Sequence, residues 1–103
     1  MSPNNATLIG RVVFIDGKLG GRKTPVGSGY RGQFFYNGMD CDAVHTFEVQ
    51  GSVPFGQEVI DYIYLPNPNH LSQIKEGMIF LVREGPHTVG YGQIIQVNQL
   101  ASL

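Results

Sequence analysis

Residues 75–90 read KEGMIFLVREGPHTVG and carry the pattern of a β-hairpin. The run from Met78 to Arg83 is rich in apolar and β-branched residues, and a second such run extends from His87 to Val97. Runs of this composition are typical of strands. The connection between them contains Gly85 and Pro86, which favour a tight turn. The pattern therefore predicts two neighbouring antiparallel strands.

Four earlier segments have the same character, so the sequence predicts six strands in all; the four cover about residues 6–15, 33–37, 43–49 and 58–65. Helix is nearly absent, although residues 71–76 could form one turn that Gly77 would end. Short strands separated by turn signals favour an antiparallel barrel or sandwich, and closure removes exposed strand edges. We expect an all-β fold in a single domain, residues 1–103, with a barrel over about 6–97 and short flexible termini.

The composition narrows the class of protein. The chain has 103 residues and a net charge of −1, which argues against a wholly basic protein that coats nucleic acid. The single cysteine, Cys41, excludes an internal disulfide and predicts a reducing compartment. The N-terminus lacks a secretion signal, and no apolar run approaches the roughly 18 residues of a membrane helix. We therefore expect a cytoplasmic protein that does not associate with membranes.

Charge is unevenly distributed along the chain. The N-terminal third contains a cluster of cations without an acid among them, and a run of acids follows with no Lys or Arg before Lys75. One interpretation is two solvated loops of opposite sign, and the other is a molecule with a basic face and an acidic face. The cations are Lys18, Arg22, Lys23 and Arg31, and the acids are Asp40, Asp42, Glu48, Glu58 and Asp61.

Two motifs could indicate a cofactor or a metal site, but the residues around them do not fit either function. The run GSGYRG at 27–32 matches a dinucleotide fingerprint, but a strand-like segment follows it where a helix is required. Cys41 and His45 lie four apart on a predicted strand, hence roughly 13 Å apart, which is too far for one metal ion. Asp40 and Asp42 would raise the pKa of Cys41, which disfavours a nucleophile. We expect His45 and His87 on the surface or the barrel rim.

These observations predict no catalytic residue, no metal site and no cofactor, and so no enzyme. A ligand-bound cleft lined by His45, Cys41 or His87 would be needed to revive that alternative. The basic segment is the best functional candidate. Arg22, Lys23 and Arg31 can neutralise phosphates, and the glycines around them let the backbone approach closely. This composition favours RNA binding.

Several ordered motifs closely resemble the third, C-terminal domain of elongation factor Tu. The resemblance covers about residues 6–97 and implies a closed six-stranded antiparallel Greek-key barrel. In that family the barrel helps to hold the T stem of aminoacyl-tRNA and packs against a neighbouring barrel and a GTPase domain. The motifs are GGRKTP at 20–25, GYRGQF at 29–34, PFGQ at 54–57, EG at 76–77, REG at 83–85 and TVG at 88–90.

The resemblance also implies site residues. The family Arg and His of a Gly-Gly-Arg-His run fall on Arg22 and Lys23, and a family Gln falls on Gln33. The glycine after Arg-Glu falls on Gly85, and a basic residue before the fifth strand falls near His70. With Arg31, these are the expected RNA-binding residues. The hypothesis further expects Arg22 and Arg31 to be free of internal ion pairs.

The chain also departs from the family pattern. Gly32 replaces a proline, and Asp42 aligns near a threonine that meets the RNA backbone, where a carboxylate would repel phosphate. Pro86 and His87 replace Gly-Arg, and Tyr91 stands where the family has a small residue. The GTPase domain and the middle barrel have no counterpart among these residues, so we expect neither GTP hydrolysis nor tRNA delivery by this chain alone.

The sequence therefore predicts a non-enzymatic, translation-factor-like binding module that contacts tRNA or similar RNA. The alternative is a protein–protein interaction module that uses the barrel surfaces without RNA. In that interpretation the acidic run from Asp40 to Asp61 suits a basic, translation-related protein. Association with a second copy belongs to the same alternative, since a lone barrel exposes surfaces that its relatives bury.

Overall fold

A computed structural model describes residues 6–98, and they form one seven-stranded antiparallel sheet. The expectation of short flexible termini concerns residues 1–5 and 98–103, and all of these except Asn98 lie outside the described residues. The strands are β1 Leu8–Phe14, β2 Gln33–Tyr36, β3 Met39–Cys41, β4 Val44–Phe47, β5 Val59–Tyr64, β6 Ile79–Glu84 and β7 His87–Val97.

All six predicted strands are present, and β3 is added to them. The chain reverses between β2 and β3 at Asn37 and Gly38, whose φ angles of 47° and 78° are both positive. A two-residue turn of this kind fits the twist of the strands on either side, and Asn-Gly is its preferred sequence. Met39 thus pairs back onto Tyr36, and Cys41 onto Phe34. The number of strands is therefore seven and not six.

The sheet curls until its two ends approach each other. The strand order is β3-β2-β6-β7-β1-β5-β4, so β4 is at one end and the β2–β3 hairpin at the other. Tyr30, just before β2, forms an isolated antiparallel bridge with His45 of β4. The Gly29 amide donates to the His45 carbonyl at 2.8 Å, and the His45 amide donates to the Tyr30 carbonyl at 2.9 Å. The predicted antiparallel barrel is confirmed, and we call this bridge the closing seam.

Alternate residues of each strand point into the barrel and fill it. Phe34 of β2 and Phe80 of β6 stack with ring centroids 4.7 Å apart, and both are buried. Phe80 fits because β1 and β7 present glycines to it. A Cβ on Gly92 would lie 2.5 Å from the Phe80 ring, and one on Gly10 would lie 3.0 Å from it. Large rings and glycines thus complement each other across the core.

Two short 3-10 segments connect the strands, Gly17–Leu19 and Pro68–Gln73. The helical turn expected over 71–76 therefore begins earlier, because Pro68 pre-sets the backbone and the Asn67 side chain accepts from the Asn69 amide. The segment also ends earlier, at Gln73, because Ile74 already has an extended backbone, so Gly77 is not the residue that ends it. Among residues 6–98 no helix is long and apolar enough to span a bilayer.

Candidate nucleic-acid interface

Five of the six residues expected to bind RNA collect at one end of the barrel, where β6 ends. Arg22 contacts Glu84, the last residue of β6, and Gly85 follows it in the turn to β7. Gln33 pairs with Arg83 on the neighbouring strand, so Arg31, two residues earlier, lies beyond the end of β6. We call this group the basic rim; it comprises Arg22, Lys23, Arg31, Gln33 and Gly85.

Three residues hold the Arg22 guanidinium in place. Its Nη1 forms an ion pair with Glu84 Oε2, and its Nε and Nη2 donate to the backbone carbonyl and the hydroxyl of Thr24 at 3.0 and 3.2 Å. Its guanidinium lies over the Tyr30 ring, 5.2 Å from the centroid. Burial alone would lower the pKa of Arg22, but the Glu84 carboxylate and Tyr30 raise it. The expectation that Arg22 is free of internal ion pairs is therefore wrong.

Tyr30 packs against the Arg22 guanidinium and also binds its partner Glu84. Its hydroxyl donates to Glu84 Oε2 at 2.6 Å, and its ring packs edge-on against Phe14 with centroids 5.7 Å apart. Burial and the adjacent Glu84 carboxylate both raise the pKa of Tyr30 well above its ordinary value. The phenol therefore stays protonated and continues to donate to Glu84. Arg22, Tyr30 and Glu84 form one connected unit.

Lys23 and Arg31 carry the unpaired positive charge of the rim. Both side chains are exposed. Neither forms an ion pair with any residue between 6 and 98. Because Glu84 neutralises Arg22, these two cations are the charges that the rim can offer to a phosphate. Among residues 6–98 Arg31 thus has no ion pair, in contrast to Arg22.

The other two residues of the rim are Gln33, which is half-buried, and Gly85, which is exposed. Gln33 is half-buried beside Arg83, whose guanidinium lies 4.3 Å from the centroid of the Phe35 ring and points toward Asp40. Gly85 is exposed in the two-residue turn with a φ of 60°. An exposed glycine in a tight turn leaves its backbone open to close approach by a ligand. The turn is thus the least obstructed part of the rim.

His70 lies at the other end of the barrel. Its Nδ1 is 2.8 Å from the Tyr36 hydroxyl, and the two rings pack edge-on. Tyr36 ends β2 while Gln33 begins it, so roughly 10 Å of strand separates His70 from the rim. The structure therefore groups five of the six expected residues and places His70 apart from them.

His45 does not lie on the surface or the rim, so that expectation is wrong. Its side chain is fully buried and bonds Asp61 of β5 and the Gly32 carbonyl. Asp61 is buried too, which removes one member from the predicted acidic face. His87 is exposed at the rim, with Nε2 3.1 Å from the Gly21 carbonyl, in line with the prediction for it.

Cys41 is the last residue of β3, its side chain is buried in the core, and it is poorly suited to react. Burial, followed by the nearby Asp40 and Asp42 carboxylates, raises its pKa to about 11. A thiol with such a pKa is almost entirely protonated at neutral pH. Within the described part of the chain, no three His, Cys, Asp or Glu side chains gather in a way that could hold a metal ion.

Glu84 is the member of this site that sequence reasoning missed. It follows Arg83 in the chain and is separated from Arg22 by 62 positions, so their ion pair depends on the sheet register. The available signal was the hairpin itself, which places Glu84 at the barrel end.

A comparison with known protein families agrees with the fold and with the motifs. The family model described as the elongation factor Tu C-terminal domain matches residues 3–98. The match covers nearly the whole chain and includes every strand and the complete basic rim. This chain therefore belongs to the elongation factor Tu C-terminal domain family.

Proposed function

We propose that this domain, a translation-factor-related binding module, is non-enzymatic and contacts the backbone of tRNA or a similar RNA in the cytoplasm. The observation that carries the proposal is the pair of exposed, unpaired cations, Lys23 and Arg31, at a rim that also holds the open Gly85 turn. Phosphate contacts need mobile or exposed cations and a backbone that a ligand can approach.

The fixed unit of Arg22, Tyr30 and Glu84 acts as a support for these cations. Glu84 neutralises Arg22, so the unit gives the rim a fixed structure but little net charge. Tyr30 is half-buried and already bonded to Glu84, which makes it a supporting ring and not a platform for base stacking. Recognition through this rim is therefore directed at backbone phosphates more than at base identity.

The number of free cations sets the strength of binding that we expect. Two phosphate contacts give a slope of log K against log salt of about −1.4 to −1.8. Binding of this kind is weak and falls quickly as salt increases. The affinity belongs in the range of nonspecific contacts, about 10⁻⁴ to 10⁻⁶ M at physiological salt.

Fluorescence anisotropy with labelled tRNA, measured over a series of salt concentrations, tests the proposal. Lys23→Glu combined with Arg31→Glu should weaken binding at low salt by roughly tenfold or more and flatten the salt slope. Lys75→Glu is the matched control for charge reversal, because Lys75 is exposed and precedes β6, at the end opposite the rim. Absence of binding at low salt and tens of micromolar protein, or equal losses in both variants, would refute the proposal.

A further inference from the structure

The outer face of four neighbouring strands carries two rows of side chains in register. Ile79 of β6 pairs with Gln93 of β7, which pairs with Arg11 of β1, which pairs with Ile60 of β5. In the next row Leu81 pairs with Tyr91, and Tyr91 with Val13. Glu58, just before β5, continues that row, because Val12 pairs with Val59. We call this surface the outer face.

The outer face exposes large apolar side chains. Three large apolar side chains of the described residues are strongly exposed, Leu19 by 81%, Ile79 by 62% and Tyr91 by 48%. Ile79 and Tyr91 lie on the outer face, and Leu19 adjoins it across a cleft of about 360 Å³ that Val13 and Tyr91 also line. Contiguous exposed apolar surface of this kind marks an interaction site.

Strand β1 supports the same conclusion from its own pattern. Its inward residues, Val12 and Phe14, are buried in the core, while Val13 is apolar and faces outward. The outward residues of β1 are Ile9, Arg11 and Val13, and a solvated face of an antiparallel sheet is normally polar, so two apolar residues of three favour a covered face. The barrel core covers the inner side of β1, and nothing among residues 6–98 covers the outer side at Tyr91 and Ile79.

The charges on the outer face indicate what covers it. Arg11 and Glu58 are exposed and line the same depression, of about 180 Å³, together with Val13, Ile79 and Tyr91. Neither forms an ion pair within residues 6–98. One cation and one anion give the face no net charge, so it does not select a strongly basic or a strongly acidic partner.

The positions of these charges fit a second copy of the same face. Arg11 and Glu58 are diagonal neighbours, roughly 7–8 Å apart at the backbone, and Val13 and Ile60 occupy the other diagonal. A two-fold axis in the plane of the face, along the line from Val13 to Ile60, places each Arg11 on Glu58 of the second copy. The same axis packs Val13 and Ile60 against the second copy. A two-fold interface requires this kind of self-complementarity.

We propose that the outer face of β6, β7, β1 and β5 is a two-fold interface between two copies of this chain. Reciprocal Arg11–Glu58 ion pairs fix its register, and Tyr91, Ile79 and Leu19 supply the apolar contact. This proposal stands apart from RNA binding, because Lys23 and Arg31 of the basic rim are not on the outer face.

Sedimentation velocity of the full chain over a range of concentrations tests the interface. The wild-type chain should be dimeric at high micromolar concentration. Arg11→Glu alone makes the facing charges all acidic, and Glu58→Arg alone makes them all basic, so each variant should raise the dimer dissociation constant by at least about tenfold. An equimolar mixture of the two variants should form a heterodimer, because acidic faces then meet basic ones.

The mixture keeps the test independent of folding, since misfolded variants would not associate when they are combined. Tyr91→Ser should also weaken the dimer, and Lys23→Glu, on the rim, should leave it unchanged. A wild-type chain that stays monomeric at several hundred micromolar would overturn the proposal. A dimer that is insensitive to Arg11→Glu, Glu58→Arg and Tyr91→Ser would overturn it too. A mixture that stays monomeric would also overturn it when both variants unfold cooperatively and are therefore folded.

Discussion

His45 Nδ1 lies 2.6 Å from Asp61 Oδ2, and both side chains are completely buried inside the barrel. The other ring nitrogen, Nε2, is 2.8 Å from the Gly32 carbonyl, which can only accept, so Nε2 carries a proton. The pair therefore connects β4, β5 and the chain that leads into β2. It lies directly behind the closing seam, where Tyr30 bridges His45.

Removing one member of this pair should be far more harmful than replacing both. Asp61→Leu leaves the buried His45 imidazole without its anionic partner. We expect this variant to lose about 3–5 kcal/mol in the free energy of unfolding. His45→Leu combined with Asp61→Leu replaces the pair with apolar groups, and its cost should be much smaller or even reversed. Urea denaturation of the three proteins measures this, and equal losses in the single and the double variant would contradict the assignment.

The same pair should make stability depend on pH. Burial alone would lower the pKa of His45, but Asp61 and the Gly32 carbonyl together raise it above its ordinary value. A raised pKa in the folded state stabilises fully below about pH 6.5, the value in the unfolded chain, and the benefit is lost as pH rises through the folded value.

Denaturation at several pH values from 6 upward gives the test. The wild-type chain should lose stability on the alkaline side faster than the double Leu variant, by up to about 1.4 kcal/mol per pH unit. The double variant retains Cys41 and every tyrosine, so their own titrations cancel in the comparison. Parallel curves for the two proteins would show that His45 does not hold the extra proton.

Glu84 should limit RNA binding by neutralising Arg22. Glu84→Gln removes the negative charge and leaves a side chain that can still accept from Arg22 and Tyr30. If the RNA proposal holds, this variant should bind tRNA more tightly at low salt, and its salt slope should become steeper by about one unit at most. Glu76→Gln, at the other end of β6, is the matched control. Weaker binding by Glu84→Gln would contradict this prediction and would mean that the Glu84 carboxylate supports the rim more than it limits binding.

Any replacement of Gly92 by a larger residue should destabilise the protein. A Cβ there would lie 2.3 Å from the Arg11 carbonyl oxygen and 2.5 Å from the Phe80 ring, so the backbone of β1 would have to move. We expect Gly92→Ala to cost about 1–3 kcal/mol. Gly27→Ala is the control, because its nearest contact would be an ordinary 3.6 Å. Thermal unfolding of both variants compares them, and similar melting temperatures would contradict the close packing.

Cys41 should resist modification in the folded protein. Its side chain is buried, and its pKa is raised to about 11, so both access and thiolate content are low. We expect labelling by a thiol reagent at pH 8 to be slow in buffer and fast in denaturant, measured by absorbance or mass spectrometry. Equally fast labelling in both conditions would show that the Cys41 thiol is not buried in the core. Asp40→Asn should change the native rate little, since burial is the larger cause.

The strands were predictable because each has its own local signal. Alternating or continuous apolar runs located both ends of all six strands within two residues. The sequence analysis missed β3, although Asn37 and Gly38 are a typical hairpin turn. Only three residues long, β3 has little pattern of its own. Its pairing with β2 follows from the turn and not from the strand.

The site was predictable only in part, because its pairings join distant positions. The cations were evident from composition, but the Arg22–Glu84 pair spans 62 positions and depends on how β6 ends. His45 was placed on the surface even though it alternates in phase with Phe47, which is buried. That phase was the signal for its burial, and Asp61 shares the inward phase of Ile63 on the next strand. A polar residue in an apolar phase predicts a buried partner.

The short strands at the two ends of the sheet bear on how this protein resists aggregation. Fibrils grow when an unpaired strand edge offers its amides and carbonyls to another chain. Here β3 offers three residues next to the exposed Asp42, and β4 is already occupied in part by Tyr30. This barrel therefore offers another chain almost no unpaired strand edge to which it could add by main-chain hydrogen bonds. Concentrated solutions of the domain should therefore form no cross-β fibrils while the closing seam is intact.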